Sequence, residues 1–548
     1  MTHDPAGREW WRSAVIYQVY PRYFADASGD GIGDLPGITL RLTHLAELGV
    51  DAVWLSPFYR SPQRDAGYDV SDYRDVDPLF GTLDDFDALL RRAHELGLKV
   101  IVDIVPNHSS SEHPWFQEAL TAGPDSDARA RYIFRAGRGA DGELPPNNWE
   151  SVFGGPAWTR VTEPDGTPGQ WYLHLFDSSQ PDLDWSNPWV ADQFDEILEF
   201  WLDLGVDGFR IDVANGLVKA DGLPDWFAPS DGSPAADLHA GDPPFWAQEG
   251  VHPIWRRWRR IVEKYDGDRV LVAEAWVNPL ERMAQWVRPD ELHQAFNFGY
   301  LLTEWNARSL STVIDESLAA FGGVGAPSTW VLSNHDTVRH TARLALGEQL
   351  PHGVGIGPLS PEIPDEQVGL RRARAATLLM LALPGSAYLF QGEELGLPEV
   401  TDIPDDARHD PTWFRTSGER YGRDGCRVPL PWESSAPAYG FSPTGASWLP
   451  QPTSWARYAT DMQRGVEGST LELYRSAIAM RRQHELGLGE LSWLRVDESA
   501  LGFRVGDVEV WTNFSTAPLP LPPGKVVLAS GELDGSLPPD TTVWTTAR

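Results

Sequence analysis

The chain has 548 residues, 41% hydrophobic and 23% charged, ordinary proportions for a soluble globular protein and too many residues for one simple core, so a large central domain with attachments is expected. A net charge of −34, from 45 Lys and Arg against 79 Asp and Glu, excludes a nucleic-acid-binding role, which needs clustered basic residues, and no acidic run singles out a cationic substrate. The single cysteine, Cys426, excludes an intrachain disulfide. The start, MTHDPAGREWWRSA, lacks the apolar core of a signal peptide, and no run of about 18 apolar residues exists, so a cytoplasmic protein without a membrane span is expected.

Along the chain, AVIYQVYPRYF (14–24) reads as a first buried strand. DASGDGIGD (26–34) follows it, with oxygens at alternate positions: Asp26, Ser28, Asp30, the Ile32 carbonyl and Asp34. That spacing suits a hard cation such as calcium in a structural role, although the twelfth position is Gly37 where an EF-hand needs Glu, and an Asp-Gly turn without an ion is the alternative.

A unit then recurs: LAELGVDAVWLSPF near Leu45, AHELGLKVIVDIVPNH near Ala93 and WLDLGVDGFRIDV near Trp201. Each is the end of an amphipathic helix, a Leu-Gly and a short apolar run, with Gly49, Gly97 and Gly205 where a helix C-terminal glycine belongs. Phe86, Leu89, Leu90 and Ala93 share one helical face, and Thr82 with Asp85 predicts a capping box. Further strands are predicted in 269–276, 293–298, 328–336 and 386–396, eight in all.

Eight strand–helix units predict an α/β fold, a (β/α)₈ TIM barrel with its active site at the strand ends. The alternative, an open doubly wound sheet, lacks its Gly-x-Gly-x-x-Gly after the first strand. Residues 1–108 and 178–489 form the barrel. Residues 109–177, rich in Gly, Pro, Trp and Asn, read as an inserted domain after the third strand, 397–465 as a long loop excursion, and 490–548, with its alternating FRVGDVEVWTNF, as a C-terminal antiparallel β domain.

The strand ends carry charge. In GFRIDVAN, Arg210 and Asp212 point to one face, the barrel interior, where a guanidinium is expected to hold the carboxyl ionised; a purely structural ion pair is the alternative. VIVDIVPNH carries Asp103, Asn107 and His108, VLVAEAW ends on Glu274, and WVLSNHD ends on His335 and Asp336. Strands about 4.8 Å apart can bring two carboxyls to the roughly 5–5.5 Å of a retaining glycosidase, one to attack the sugar and one, best Glu274, to start protonated.

The set DIVPNH, GFRIDVAN, EAW and SNHD, in that order, resembles the signature of the α-amylase family, glycoside hydrolase family 13. The resemblance implies Asp212 as nucleophile, Glu274 as general acid/base, Asp336 as transition-state stabiliser, and His108, Arg210 and His335 as sugar-binding residues. QPDLDW (180–185), DAGYDVSDY (65–73) and RDGCRVPLPWE (423–433) resemble the oligo-1,6-glucosidase branch. There an aspartate and a distant arginine close the pocket around a terminal glucose; the matching positions are Asp65, with Tyr68 as stacking face, and Arg427. Phe153 and Phe176 match pocket aromatics, with simple packing as the alternative. Val213 goes with α-1,6 preference in that branch, while the departures at DVAN and at Ala275–Trp276 leave α-1,4 equally open. The branch also implies calcium in the 26–34 loop, where Ser28 is a weaker ligand than the usual Asn or Asp.

The resulting expectation is a retaining exo-acting α-glucosidase for short oligosaccharides or disaccharides, with no organic cofactor. A transglucosylase or sucrose/trehalose-type isomerase on the same scaffold is the alternative; the charged Arg/Asp motif of isomerases is not found. A non-catalytic family member is the remote alternative, disfavoured because all three acids are present.

Overall fold

The computed structural model describes residues 9–227, 243–347, 350–351 and 353–547. Its centre is a set of eight parallel strands: β1 (Val15–Val19), β2 (Ala52–Leu55), β3 (Lys99–Ile104), β4 (Gly208–Ile211), β5 (Val270–Ala273), β6 (Gln294–Ala295), β7 (Thr329–Val331) and β8 (Ser386–Phe390). They run in the order β6-β5-β4-β3-β2-β1-β8-β7. The remaining seam, β6 to β7, is bridged where the Asn297 N–H donates to the Thr329 carbonyl at 3.1 Å. The barrel expectation therefore holds over the open-sheet alternative.

The crossover helices are α1 (Leu35–Leu48), α2 (Leu83–Glu95), α3 (Pro188–Leu204), α4 (His252–Val262), α5 (Leu280–Met283), α6 (Ala307–Gly323), α7 (Glu366–Leu381) and α8 (Thr470–Gln483). Local chemistry sets their ends. Thr82 and Asp85 form the predicted capping box on α2. Gly49 (φ 93°) and Gly205 (φ 105°) end α1 and α3 in the left-handed region, which turns the chain straight into β2 and β4. The apolar faces pack on the barrel: Phe86, Leu89, Leu90 and Ala93 of α2 are all buried, as are Phe194, Ile197, Leu198 and Trp201 of α3.

Between β3 and α3 the chain builds a small antiparallel sheet from Phe134–Arg135, Pro168–Leu173 and Trp158–Thr162, the last two being direct neighbours. The C-terminal sheet pairs Leu491–Val496, Ala500–Val505, Val508–Asn513, Thr541–Thr546 and Lys525–Ala529. It docks on α7, where the Trp544 indole N–H donates to Leu378 O at 3.0 Å and Thr542 Oγ1 to Ala375 O at 2.9 Å. Among the described residues no helix is long and apolar enough to cross a membrane.

The interior holds ionisable groups with opposite leanings. Burial raises Glu393 to about 8 and Asp103 and Glu399 to about 7. Burial lowers His108 and His174 to about 4. Above the unfolded carboxyl range the folded acids hold extra protons, so their stabilisation is lost as pH rises toward 8. The histidines hold fewer protons than when unfolded, and their effect acts only below about 6.5. The two oppose each other from about 4 to 6.5, and the acids act alone above. The melting temperature, followed by differential scanning fluorimetry, is therefore expected to fall from pH 6.5 to pH 8.5; a flat or rising profile would contradict these assignments.

Candidate active site

The C-terminal ends of the strands open into a cavity. Its lining includes Asp212, Glu274 and Asp336, together with Asp65, Tyr68, His108, Phe153, Phe176, Val213, Trp276 and His335. The three acids thus share one chamber, as the strand ends predicted.

One guanidinium organises the floor. Arg210 faces Asp103 across the β3–β4 pair. Its Nη1 donates to Asp103 Oδ1 at 2.9 Å and to Asp212 Oδ1 at 2.7 Å, and its Nη2 lies 2.9 Å from Glu274 Oε2. Arg210 is only 2% exposed and does not line the cavity. The guanidinium is engaged by three carboxyls. The expectation that it holds Asp212 low is corrected. Burial raises the Asp212 carboxyl well above its ordinary value, with Arg210 opposing and Glu274 and Asp103 adding to the rise. One cation divided among three carboxyls does not overcome desolvation.

Glu274 is held by its neighbours. Its Oε2 accepts the Val213 N–H at 3.0 Å, and its Oε1 accepts the Trp276 indole N–H at 3.2 Å. The Trp276 ring stacks on Phe298 with centroids 4.0 Å apart, which fixes that donor. Val213 sits at φ 49°, strained for a β-branched residue, directly after Asp212 and at the cavity wall. Ala275 is fully buried, while Val213 and Trp276 line the chamber.

The wall opposite is charged and closed. Arg423 Nη2 donates to Asp65 Oδ1 at 2.7 Å and Nη1 to Asp336 Oδ1 at 2.9 Å. The expected Asp65–Arg427 pair is therefore corrected to Asp65–Arg423. Arg427 stands behind the wall, donating to His335 O at 2.8 Å and to Asp336 Oδ1 at 2.9 Å, and is not a lining residue. RDGCR offers two arginines flanking a short 3₁₀ turn (Asp424–Cys426), and strand periodicity gives no choice between them. The guanidinium of Arg423 also lies 4.8 Å over the Phe153 ring. Phe153 and Phe176 meet edge to face at 5.7 Å, so these two aromatics both pack together and line the chamber.

Tyr68 stacks on His335, with centroids 5.2 Å apart and planes 3° from parallel. Burial keeps the His335 ring well below its ordinary value and neutral. Its Nδ1 lies 2.8 Å from the Gln18 amide nitrogen, which places its proton on Nε2, 3.2 Å from Asp336 Oδ2. Sequence reasoning recognised QPDLDW without its physics: the Gln180 amide donates to Asp65 Oδ2 at 3.0 Å and lies 3.1 Å from His108 Nε2. Asp182 accepts from Leu175 N at 3.0 Å and meets the buried Lys219 ammonium at 2.7 Å. Val152, Trp246, Thr412 and Arg420 also line the cavity and carried no sequence signal of their own, and Asn215, the last residue of GFRIDVAN, joins them.

The 26–34 loop does not form a preset cation cage. Asp26 accepts the Gly29 and Gly31 N–H groups at 2.6 and 2.8 Å, and Asp30 Oδ1 accepts from Ile32 N at 2.8 Å. Asp34 caps α1 through Gly37 N at 2.6 Å and accepts Ser28 N at 2.9 Å. Among the described residues no group of three or more His, Cys, Asp or Glu side chains is placed to hold a metal ion. These bonds are those of an Asp-Gly turn, and no step of the chemistry below passes through a metal.

The chain matches the family described as alpha amylase, catalytic domain, over residues 18–488. The protein belongs to the α-amylase family. A probable α-glucosidase of Rhizobium meliloti (strain 1021) is 38% identical to this family member over 512 residues, 90% of this chain and 87% of its own length. An oligo-1,6-glucosidase of Parageobacillus thermoglucosidasius is 35% identical over 511 residues, 87% of this chain and 84% of its own. Among solved structures, the α-glucosyl transfer enzyme XgtA superposes with a TM-score of 0.85 at 35% identity, covering 99% of this chain and 100% of that one. The trehalulose synthase MutB of Pseudomonas mesoacidophila MX-45 gives 0.82 at 28% identity, covering 99% and 100%.

Proposed function

We propose that this α-amylase family member is a retaining exo-acting α-glucosidase, releasing glucose from the non-reducing end of short α-1,4- and/or α-1,6-linked glucosides through a covalent glucosyl-enzyme. The observation that carries the reading is the meeting of Asp212, Glu274 and Asp336 in a chamber whose far wall is the Asp65–Arg423 pair. A wall of paired charges stops a chain from passing through and offers bonds to the hydroxyls of one terminal sugar.

The chemistry follows from the floor. With the proton that the clustered carboxyls retain resting on Glu274, Asp212 attacks the anomeric carbon as the carboxylate beside Arg210 while Glu274 gives that proton to the departing oxygen; Glu274 then takes a proton from the incoming water as the ester to Asp212 breaks. Both carboxyls are bonded to one guanidinium fork, which suits the roughly 5–5.5 Å spacing of double displacement better than the wider spacing of inversion. Asp336, with Arg423 and Arg427 on the same oxygen, faces the sugar as a fixed charge for the oxocarbenium-like transition state.

Glucosyl transfer is the second reading, supported by the likeness to the α-glucosyl transfer enzyme XgtA. It differs only in whether a sugar hydroxyl or water takes the glucosyl group. Proton NMR of digests of maltose, isomaltose, kojibiose, nigerose, trehalose and sucrose tests both. α-Glucose is expected as the first anomer released, with transfer products a minority. β-Glucose appearing first would remove the retaining mechanism, and dominant transfer products would favour the second reading.

A further inference from the structure

Asp103 has no part in the chemistry above, yet its carboxyl is fully buried within the same cluster. Every partner it has is a donor: Arg210 Nη1 at 2.9 and 3.1 Å, the Trp54 indole N–H at 3.2 Å and the Tyr68 hydroxyl at 3.0 Å. Its own carbonyl accepts from the Tyr59 hydroxyl. The groups facing it are therefore Arg210 on β4 and Asp212 just after it, Glu274 just after β5, and Tyr59 and Tyr68 in the segment after β2.

We infer that Asp103 is a positioning residue of the reaction: as the third carboxylate on the Arg210 guanidinium it sets how tightly the Asp212–Glu274 pair keeps its proton, and it ties the Tyr68 sugar platform to that pair. The inference rests on the proposed glucosidase chemistry. Three carboxyls on one cation carry an excess negative charge when all are ionised, so the cluster holds on to a proton. The first displacement uses such a proton, passing from Glu274 to the departing oxygen. Burial already raises the Asp103 carboxyl against the pull of Arg210. The Tyr68 hydroxyl bond adds geometry: the ring stacked on His335 is anchored through Asp103 to the guanidinium that also carries Asp212 and Glu274.

The test is the pH dependence of kcat/KM for the full-length protein and Asp103→Asn, on p-nitrophenyl α-glucoside and on the best natural disaccharide. Removing one charge at close range is expected to move the alkaline limb down by about one unit. The rate loss on the disaccharide should exceed that on the nitrophenyl substrate by about tenfold, because the sugar leaving group needs the proton more. Asp103→Glu keeps the charge; its alkaline limb should stay within about 0.3 unit of wild type even though the guanidinium is displaced and the rate falls. Limbs unmoved in Asp103→Asn, with equal losses on both substrates, would reduce Asp103 to packing. So would a limb shifted as far by Glu as by Asn, and this comparison decides the matter if the Asn variant fails to fold. A wild-type chain without α-glucosidase activity would instead overturn the proposed function itself.

Discussion

Asp212→Asn is expected to lower kcat by about 10⁴–10⁶-fold while leaving substrate binding nearly intact. The amide keeps the shape and one acceptor toward Arg210 but cannot form the ester. A Glu274→Gln variant separates the two steps. It is expected to lose most of its rate on disaccharides and much less on p-nitrophenyl α-glucoside, whose leaving group departs without a proton. Azide then distinguishes the roles by product. With a small residue at 212, azide attacks the substrate directly and gives the β-glucosyl azide. With Ala at 274, it attacks the glucosyl-enzyme and gives the α-product. The two products exchanged, or near-full turnover in Asp212→Asn, would reverse or remove the assignment.

The residues behind this prediction were legible because barrel strands alternate. Arg210 and Asp212 had to share a face, and the only interior that accepts charge is the mouth. The same logic applied to DIVPNH reaches Asp103, which pairs in register with Arg210, 107 residues on; its weight was invisible because register between strands so far apart in the chain is not written in either. Loop-borne residues were harder. Arg423 and Arg427 differ by one 3₁₀ turn, and which of them meets Asp65 depends on how the excursion 397–465 lies over the mouth. Pocket residues such as Thr412 and Trp246 sit in segments with no periodicity to read. The net direction at Asp212 is hidden in sequence for a related reason: one arginine beside one aspartate is visible there, and that arginine does pull the carboxyl down, while folding adds burial and gives the arginine two further carboxyls. The 26–34 loop was ambiguous for another reason: its ligand spacing is equally the spacing of an Asp-Gly turn whose carboxylates accept their own backbone N–H groups, and those bonds are present.

The corrected pair carries the second large effect. Arg423 is 8% exposed and meets Asp65 at 2.7 Å, Asp336 at 2.9 Å and Asp410 at 2.5 Å. Arg423→Ala leaves those acids with one cation fewer in a dry wall, a loss expected to cost about 3–5 kcal/mol of stability in denaturant titrations. Asp65 suffers most. Burial already raises its carboxyl against the pull of the arginines, so without Arg423 it takes up a proton and ceases to bind sugar hydroxyls as an anion. KM for disaccharides is therefore expected to rise at least tenfold, with kcat falling as Asp336 is released. Arg423→Lys does not restore the wall, since a single ammonium cannot span Asp65 and Asp336 as the planar fork does. Arg427→Ala is the contrast. It keeps the Asp65 pair and removes one bond to Asp336 and one to the His335 carbonyl, so its loss should fall on kcat more than on KM. A larger KM rise in Arg427→Ala than in Arg423→Ala would mean that Arg427, not Arg423, closes the pocket around the terminal glucose.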